Sequence, residues 1–263
     1  MPGKDRQRQL AREKLQRQMA KRAAEARRRR RLQAIAGSAV GVLAIVALTG
    51  FAVAKLGGND KKTAKPAAAP SATKAPEGCS YPDDVRSPSA RKVAKPSVKD
   101  VAKTGTVQVV MTTNQGSLTL TLDRAKAPCT VNNFVSLAKQ KYFDKTPCHR
   151  VTADGLMQCG DPTGTSAGGP GYTFADEGLP PAGQSTKVTY PTATVAMANN
   201  GPNTNGSQFF IVYKDIKFFP DYVVFGTVSK GLNTVVKIAA NGSSPPGDGK
   251  PTKPVTIESM KIV

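Results

Sequence analysis

The chain has 263 residues and a net charge of +20, with 38 Lys and Arg against 18 Asp and Glu. The length allows one or two domains. The positive charge is concentrated at the start, because residues 1–31 carry 13 basic and three acidic side chains, while residues 105–263 carry 14 and ten. The composition therefore gives no reason to interpret the later part of the chain as a nucleic-acid-binding domain.

Residues 1–31 form a basic segment that is expected to stay on the cytoplasmic side of a membrane. Its Lys and Arg side chains suit contact with anionic lipid headgroups, at about 1 kcal/mol for each residue near the surface. An equally good interpretation is that the segment only orients the chain in the membrane. RNA binding by Arg27–Arg31 is the weakest alternative, because no aromatic side chain is interleaved with these arginines.

An uncharged run of 23 residues, Leu32–Ala54, follows the basic segment. A bilayer is crossed by roughly 20 apolar helical residues, so the sequence predicts a transmembrane helix over residues 32–56. The alternative is a cleaved signal peptide, since Ala52-Val53-Ala54 resembles a cleavage site, although the charged lead and the apolar run exceed the usual dimensions. Both interpretations export the rest of the chain. We expect a single-pass plasma membrane protein with a cytoplasmic N-terminus and an extracytoplasmic domain.

Residues 57–104 have the composition of a flexible linker, rich in Pro, Ala and Lys and without a sustained hydrophobic period. Cys79 and Tyr81 interrupt this composition and indicate that the second half can pack back onto the domain. The folded domain is predicted to cover residues 105–263.

All four cysteines lie on the exported side: Cys79, Cys129, Cys148 and Cys159. Four cysteines in an oxidising compartment suggest two disulfides, with three possible pairings. Buried free thiols are an alternative. A zinc site is disfavoured, because the chain has one histidine and no Cys-x-x-Cys spacing.

The domain begins with an apolar, β-branched run and an alternating run around a turn at residues 114–116, which predicts a hairpin with one buried face. Pro128 precedes apolar residues at helical spacing, and a second helix is predicted near residues 232–239. Further apolar runs predict strands at 192–197, 208–212, 222–228 and 255–257. Many strands with two separated helices favour a mainly β fold, an antiparallel barrel or sandwich.

Familiar catalytic motifs are missing from the domain. His149 is the one histidine, so a Ser–His–Asp arrangement would need it as the base. The glycine-rich stretch 168–171 lacks the Lys-Ser/Thr of a phosphate-binding loop. Such a domain is usually a binding module, unless it is an enzyme that only lowers a rotational barrier.

Four segments are similar to the cyclophilin family of peptidyl-prolyl cis-trans isomerases, and they occur in the order of the family: Cys148-His149-Arg150, Gln158-Cys159-Gly160-Asp161, Ala196–Ile211 with its MANNGPNTNGSQFFI, and Val224-Phe225-Gly226. The resemblance spans about residues 105–263. It implies a closed eight-stranded antiparallel β-barrel with two capping helices. It also implies an isomerase that needs no cofactor or metal and acts on proline-containing peptides. Together with the predicted export and the charge distribution, we expect a monomer that acts on exported unfolded proteins and binds no nucleic acid.

The resemblance also assigns the site. Rotation about a peptide bond has a barrier of about 18–20 kcal/mol, and a donor aimed at the prolyl nitrogen would stabilise the twisted transition state. Arg150 matches the catalytic arginine of the family; the alternative for it is an ion pair with a surface acid. The substrate-binding positions are Gln158, Met157, Leu156, Asn199, Gln208, Phe210, Phe218 and Tyr222. Each of these residues could instead serve the core or a turn.

Two departures from the family pattern favour a second hypothesis, a non-catalytic peptide-binding or chaperone module. Leu156 stands where the family often has Phe, and Tyr222 stands where a His is frequent. Cys148 lies just before the strand that leads to Cys159, so these two could pair, and Cys79 in the linker could pair with Cys129 near a helix start. The sequence leaves the three pairings open.

Overall fold

The first hairpin follows the alternation of the sequence. In the computed structural model, which describes residues 78–85, 89–180 and 186–263, strand β1 (Thr106–Thr113) pairs antiparallel with strand β2 (Gly116–Asp123). Val109 lies opposite Leu120, and both are fully buried. The predicted hairpin with one buried face is confirmed.

The next element, helix α1 (Pro128–Lys139), begins at the predicted proline, in the first turn where a missing N–H is tolerated. Its N-terminus has no local side-chain cap. Instead, Glu177 accepts hydrogen bonds from the backbone N–H groups of Cys129 (2.9 Å) and Thr130 (2.7 Å). A carboxylate in this position also interacts favourably with the helix dipole, so Glu177 ties the helix to a distant loop.

The remaining elements are mostly short strands, followed here in chain order: β3 (Thr146–Pro147), β4 (Arg150–Thr152), β5 (Leu156–Cys159), β6 (Val188–Tyr190), β7 (Thr194–Met197), β8 (Phe209–Val212), β9 (Ile216–Phe218), β10 (Val224–Lys230), helix α2 (Leu232–Ala240), β11 (Ser243–Ser244), β12 (Asp248–Pro251) and β13 (Thr256–Ile262). The fold is therefore mainly β with two helices in the described residues, as predicted.

The strands build one curled sheet rather than a closed barrel. Eleven of them pair antiparallel in the order β11-β12-β4-β5-β8-β7-β10-β2-β1-β13-β3, and β6 pairs separately with β9. The edge strands β11 and β3 are not neighbours, so the prediction of a closed eight-stranded barrel is wrong. Strand β3 has two residues, and Pro147 has no N–H to donate to a further strand.

Aromatic side chains fill the inside of the curled sheet. The ring of Phe134 on α1 lies 4.9 Å from that of Phe143, 5.2 Å from Phe209 and 5.3 Å from Phe225, measured between centroids. All four are buried. We call these four residues the interior cluster. Burial of a phenylalanine contributes about 1.5–3 kcal/mol, so this cluster is a main source of stability.

Residues 79–100, of which 86–88 lie outside the described part, form a strap that packs on the domain. A disulfide joins Cys79 to Cys129 at the start of α1. Tyr81 is 5% exposed, and its hydroxyl donates to the carbonyl oxygen of Cys129 at 2.8 Å. Arg91 donates to three carbonyl oxygens at the end of α1 and in the turn beyond it, those of Lys141, Tyr142 and Asp144. The strap is therefore attached at several points.

The second disulfide joins Cys148 to Cys159, so all four cysteines are paired. The prediction of two disulfides is confirmed, and the pairing is one of the three that the sequence leaves open.

Among the described residues, no helix has the length and apolar character needed to cross a membrane. The predicted basic segment 1–31, the predicted transmembrane helix 32–56 and linker residues 57–77 lie outside the described part.

Candidate active site

A short hairpin of strands β4 and β5 carries two polar residues of the predicted site, the catalytic candidate Arg150 and the substrate-binding candidate Gln158. Arg150 lies directly opposite Gln158 in this pair. The turn between the strands contains Gly155 with φ of +131°, where a Cβ atom would lie 2.3 Å from the carbonyl oxygen of Lys214. Only glycine fits there. The turn therefore sets where β5 begins and which of its side chains face outward.

Strand β8 continues the same surface. Phe210 pairs with Gln158 across β5 and β8, and Gln208 immediately precedes β8. Together with loops 166–173 and 198–208 these strands border an open groove of about 770 Å³. The groove is lined by Arg150 and by seven of the eight predicted substrate-binding residues: Leu156, Gln158, Asn199, Gln208, Phe210, Phe218 and Tyr222.

Met157 is the predicted substrate-binding residue that the structure places elsewhere. Neighbouring side chains of a strand point to opposite faces, and on β5 Leu156 and Gln158 face the groove. Met157 has no exposed surface and packs with the interior core. The prediction that it lines the proline pocket is therefore not supported, and its place in the structure is that of a core residue.

The guanidinium of Arg150 is held by a carboxylate that sequence reasoning missed. Its Nε donates to Asp248 Oδ1 at 2.7 Å and its Nη2 to Oδ2 at 2.8 Å, a two-point contact. Its Nη1 donates to Gln158 Oε1 at 3.2 Å. The hydrogen bonds from Arg150 lower the pKa of the Asp248 carboxyl, and the hydrogen bond to Asp248 raises the pKa of Arg150. Arg150 therefore stays charged at the rim of the groove in one orientation.

A guanidinium has five N–H donors, and the three hydrogen bonds described above use three of them. The other two N–H groups, one on each terminal nitrogen, are the ones that a bound molecule could engage. The ion pair with Asp248 and a role in the groove are thus compatible with each other.

Two glutamines, Gln158 and Gln208, form a polar floor of the groove. Gln158 Nε2 donates to Gln208 Oε1 at 2.8 Å. Gln208 Nε2 donates in turn to the carbonyl oxygens of Ser166 (3.0 Å) and Gly168 (2.9 Å). The acceptor loop is shaped by the buried Asp161, whose carboxylate accepts from several backbone N–H groups within it. A continuous series of hydrogen bonds therefore runs from Asp248 through Arg150 to this loop.

One wall of the groove is aromatic. The ring centroids of Phe210, Phe218 and Tyr222 lie 5.4–6.4 Å from one another in edge contacts. Tyr190, which was not predicted, lies 6.0–6.4 Å from all three. Burial raises the pKa of Tyr190, so its hydroxyl is neutral at pH 7. We call these four residues the groove cluster. Phe210, Phe218 and Tyr222 form an apolar wall of the groove, and the buried Tyr190 packs against them.

Asn199 is placed in a turn at the edge of the groove. Its Nδ2 donates to the carbonyl oxygen of Asp221 at 2.7 Å, and its Oδ1 accepts from the N–H of Gly201 at 3.2 Å. The side chain therefore holds the turn at the edge of the groove.

The sequence offers little signal for the two missed residues. Asp248 follows Arg150 by 98 positions and lies between two glycines in a polar stretch. Tyr190 belongs to a three-residue strand beside a proline. Neither lies in one of the segments that carry the family resemblance. Only the fold brings Asp248 to Arg150 and Tyr190 to the aromatic wall of the groove.

Comparison with known proteins agrees with this geometry. The family model described as "Cyclophilin type peptidyl-prolyl cis-trans isomerase/CLD" matches residues 108–262, more than half of the chain. The chain belongs to the cyclophilin family. The chain has curated relatives in two species of Mycobacterium.

The "Probable peptidyl-prolyl cis-trans isomerase B" of Mycobacterium leprae is 48% identical over 200 residues, which cover 70% of this chain and 66% of the relative. The chain thus spans just under two thirds of that relative. The peptidyl-prolyl cis-trans isomerase A of Mycobacterium tuberculosis is 39% identical over 173 residues, 60% of this chain and 92% of the relative.

Solved cyclophilins share the fold. A crystal structure of a cyclophilin type peptidyl-prolyl cis-trans isomerase from Cryptosporidium parvum has a TM-score of 0.53 and 31% identity, covering 60% of this chain and 98% of the other. A second crystal structure of that protein, determined in the presence of the dipeptide Ala-Pro, has a TM-score of 0.52. The cyclophilin fold is therefore shown by both sequence and structure.

Proposed function

We propose that this protein catalyses cis–trans rotation about Xaa-Pro peptide bonds, with Arg150 as the catalytic residue and the groove as the substrate site. The observation that carries the proposal is the guanidinium of Arg150, held at two points by Asp248 and placed beside Gln158 on the wall of the groove. Family membership and the names of the relatives support it.

The proposed mechanism rests on what twisting does to the peptide bond. Resonance makes the C–N bond partly double, which produces the barrier of about 18–20 kcal/mol. Twisting removes this resonance and leaves a lone pair on the prolyl nitrogen. An N–H of Arg150 would donate to that lone pair only in the twisted state, so it would bind the transition state better than either ground state. Because Asp248 holds the guanidinium beforehand, little reorganisation is needed during the reaction.

The other groove residues would fix the peptide while it rotates. The groove cluster would hold the proline ring, because it offers an aromatic surface without formal charge at the pocket. Gln158 and Gln208 would hydrogen-bond the peptide backbone next to the proline. With the ring held on one side, rotation occurs in the chain on the other side.

We further propose that the protein acts on exported chains at the outer face of the plasma membrane. Two disulfides are typical of proteins in oxidising compartments, and the sequence predicts an anchor at residues 32–56. A reporter fused after Met1–Leu56 should be retained in the membrane fraction. A reporter found in the soluble fraction would contradict the anchor.

A non-catalytic peptide-binding module is the second candidate. What favours it is the pair of departures from the family pattern, Leu156 and Tyr222, which both line the groove. A protein of this kind would bind proline-containing peptides without changing their rate of isomerisation.

The decisive experiment measures cis/trans kinetics on a short Xaa-Pro peptide with the full chain, unmodified and as Arg150→Ala. We expect kcat/KM to fall about 100-fold or more, as for removal of a donor that acts in the transition state. Arg124→Ala is a matched control, because Arg124 donates to the carbonyl oxygen of Thr106 on an exposed surface. Equal rates for the unmodified protein and Arg150→Ala would refute the catalytic assignment. Peptide binding without rate enhancement by the unmodified protein would establish the binding module instead.

A further inference from the structure

One fully buried asparagine on helix α1 connects the inside of the domain to the groove. Asn133 has no exposed surface, although the next buried positions of the helix, Phe134 and Leu137, are apolar. A buried amide is stable only if its polar atoms have hydrogen-bond partners. Both polar atoms of Asn133 have a partner outside the helix, so its side chain makes specific contacts and does more than fill space.

The partners of Asn133 belong to the two loops that border the groove, residues 166–173 and 198–208. Its Oδ1 accepts a hydrogen bond from the hydroxyl of Tyr172 at 2.7 Å. Its Nδ2 donates to the carbonyl oxygen of Gly206 at 2.8 Å. Tyr172 and Gly206 both line the groove, whereas Asn133 does not. The asparagine therefore acts on the groove through these two contacts.

The two loops come close together where Asn133 holds them. A Cβ atom on Gly206 would lie 3.3 Å from Cδ of Pro170 in the other loop. One residue before Gly206, the carbonyl oxygen of Asn205 accepts a hydrogen bond from the N–H of Phe174 at 3.0 Å. This backbone hydrogen bond joins the loops directly, and Asn133 joins them from inside the domain.

Tyr172 is also held by the strap. The ring of Tyr81 packs edge-on against the ring of Tyr172, with 5.7 Å between the centroids. The hydroxyl of Tyr81 accepts a hydrogen bond from Nδ2 of Asn132 at 3.0 Å. Two adjacent asparagines of α1 thus have separate tasks, since Asn132 holds the strap and Asn133 holds the loops. Tyr172 cannot move without losing the aromatic contact or the hydrogen bond, which limits the movement of the loop that carries it.

The separation of the loops matters because Gln208 spans them. Gln208 ends one loop, and its Nε2 donates to the carbonyl oxygens of Ser166 and Gly168 in the other. Its Oε1 accepts from Gln158, which accepts in turn from Arg150. A change in the separation of the loops would therefore lengthen or break hydrogen bonds of the polar floor.

We propose that Asn133 is a positioning residue for substrate binding, which sets the separation of the two loops by holding Tyr172 and Gly206. The proposal rests on the proposed function, since it assumes that the groove binds peptides. Asn133 does not touch the peptide and acts through the loops. Arg150 and Phe210 are carried by strands β4 and β8, so they stay in place when Asn133 is changed. Its loss should therefore weaken peptide binding more than it slows rotation.

The test removes the hydrogen bonds of Asn133 separately in the full chain. Tyr172→Phe removes the hydroxyl and keeps the ring. Asn133→Asp keeps an acceptor for Tyr172 but loses the Nδ2 donor to Gly206, and Asn133→Leu loses both hydrogen bonds with a side chain of similar shape. Thr146→Val is the matched control. Thr146 is fully buried and its hydroxyl donates to the carbonyl oxygen of Phe143, but it does not line the groove.

We expect Tyr172→Phe and Asn133→Asp to raise the KM of an eight-residue peptide with a central Xaa-Pro about three- to ten-fold, with kcat changed by less than about two-fold. Asn133→Leu should raise KM at least as much. Adding Tyr172→Phe to Asn133→Leu should raise KM no further, because both changes remove the same contact. Thr146→Val should lower stability in chemical denaturation and leave KM unchanged. A purely structural role of Asn133 would lower stability in its variants without moving KM.

Fluorescence anisotropy with the labelled peptide measures the same effect as a Kd, so the test does not depend on turnover. If the unmodified protein binds the peptide without accelerating isomerisation, the isomerase proposal fails and the Kd values still decide the role of Asn133. Absence of both binding and turnover would refute both proposals. If Asn133→Leu does not fold, Tyr172→Phe decides, since it keeps the packing of the ring. The positioning role is refuted if Tyr172→Phe and the folded Asn133 variants keep the KM and Kd of the unmodified protein, or if Thr146→Val raises them to the same extent.

Discussion

The interior cluster and the groove cluster lie on opposite faces of the same strand. On β8, Phe209 contacts Phe134 and Phe143 in the interior, and Phe210, the next residue, contacts Tyr222 and Phe218 in the groove. Both phenylalanines are at most 3% exposed. Burial alone therefore does not distinguish a residue of the core from a residue of the substrate site.

The difference lies in what borders each cluster. The interior cluster consists of four phenylalanines enclosed by the sheet and α1. The groove cluster includes two tyrosines, and three of its four residues line the open groove, with the polar floor of Gln158 and Gln208 beside them. One face of the sheet is suited to stability and the other to binding a ring that enters from solution.

Truncating each phenylalanine of β8 separately tests whether one face of the strand serves stability and the other serves substrate binding. Phe209→Ala should lower the free energy of unfolding by about 3–5 kcal/mol, because it leaves a cavity in an enclosed core. Phe210→Ala should cost less, since water can enter from the groove, but it should raise KM about ten-fold through lost contact with the proline ring. Chemical denaturation and peptide kinetics measure the two effects. Equal losses of stability with an unchanged KM for Phe210→Ala would contradict the comparison.

The orientation of the Arg150 guanidinium can be tested through Asp248, a positioning residue that acts on substrate only through Arg150. Asp248→Asn should lower kcat about three- to ten-fold with a small change in KM, because it weakens a charge-assisted pair that orients the guanidinium. Asp248→Glu should restore part of the rate. A variant with unchanged kcat would remove the positioning role.

The pH dependence of this pair has a definite sign. Hydrogen bonds from Arg150 depress the pKa of Asp248, so the pair is complete above the ordinary carboxyl pKa and is lost only as the pH falls through the depressed value. Between pH 5 and pH 8 the pair should therefore add no pH dependence to kcat. Measured rates over that range, compared with those of Asp248→Asn, check the sign.

The smallest effect concerns His149, the residue that precedes Arg150 in the chain. It is 6% exposed, and neither ring nitrogen has a hydrogen-bond partner among the described residues. Burial is the main cause that lowers its pKa; Arg150 and Lys250 add to this and Asp161 opposes it. The folded state therefore disfavours the charged imidazole.

Because the pKa of His149 is lower in the folded state, stability should be full above pH 6.5 and should fall as the pH drops below it. The slope cannot exceed about 1.4 kcal/mol per pH unit for one proton. His149 is the one histidine of the chain, so denaturation at pH 7.5, 6.5 and 5.5 isolates it. His149→Gln should flatten the dependence, and an unchanged slope in that variant would exclude His149 as its source.

Sequence reasoning located the regular elements because each follows one clear local pattern. Leu118, Leu120 and Leu122 alternate and become one buried face of the hairpin, and Pro128 begins α1. The edges of the sheet were beyond such reasoning, since β3 and β11 have two residues each and depend on their partners. The prediction of a closed barrel was therefore wrong at the two edges of the sheet.

Site residues that lie in local sequence motifs were predictable. Site residues that only strand pairing brings together were not. Arg150, Gln158 and Phe210 lie in or beside recognisable segments and do line the groove. Met157 lies in the same segment, but a shift of one residue along a strand moves a side chain to the other face. Asp248 lies 98 positions after Arg150, at the start of the short strand β12, and its place beside Arg150 depends on the pairing of β12 with β4, which no local pattern encodes.

The Cys79–Cys129 link has a practical consequence for how the domain can be produced. Residues 105–263 contain three cysteines, because Cys79 lies in the strap. A fragment trimmed to the region that the family shares would leave Cys129 as an odd thiol at the start of α1. Under oxidising conditions such a thiol forms intermolecular disulfides or exchanges with an existing one. A soluble fragment intended for crystallisation or screening should therefore begin before Cys79, so that thiol exchange does not yield mixtures of covalent dimers.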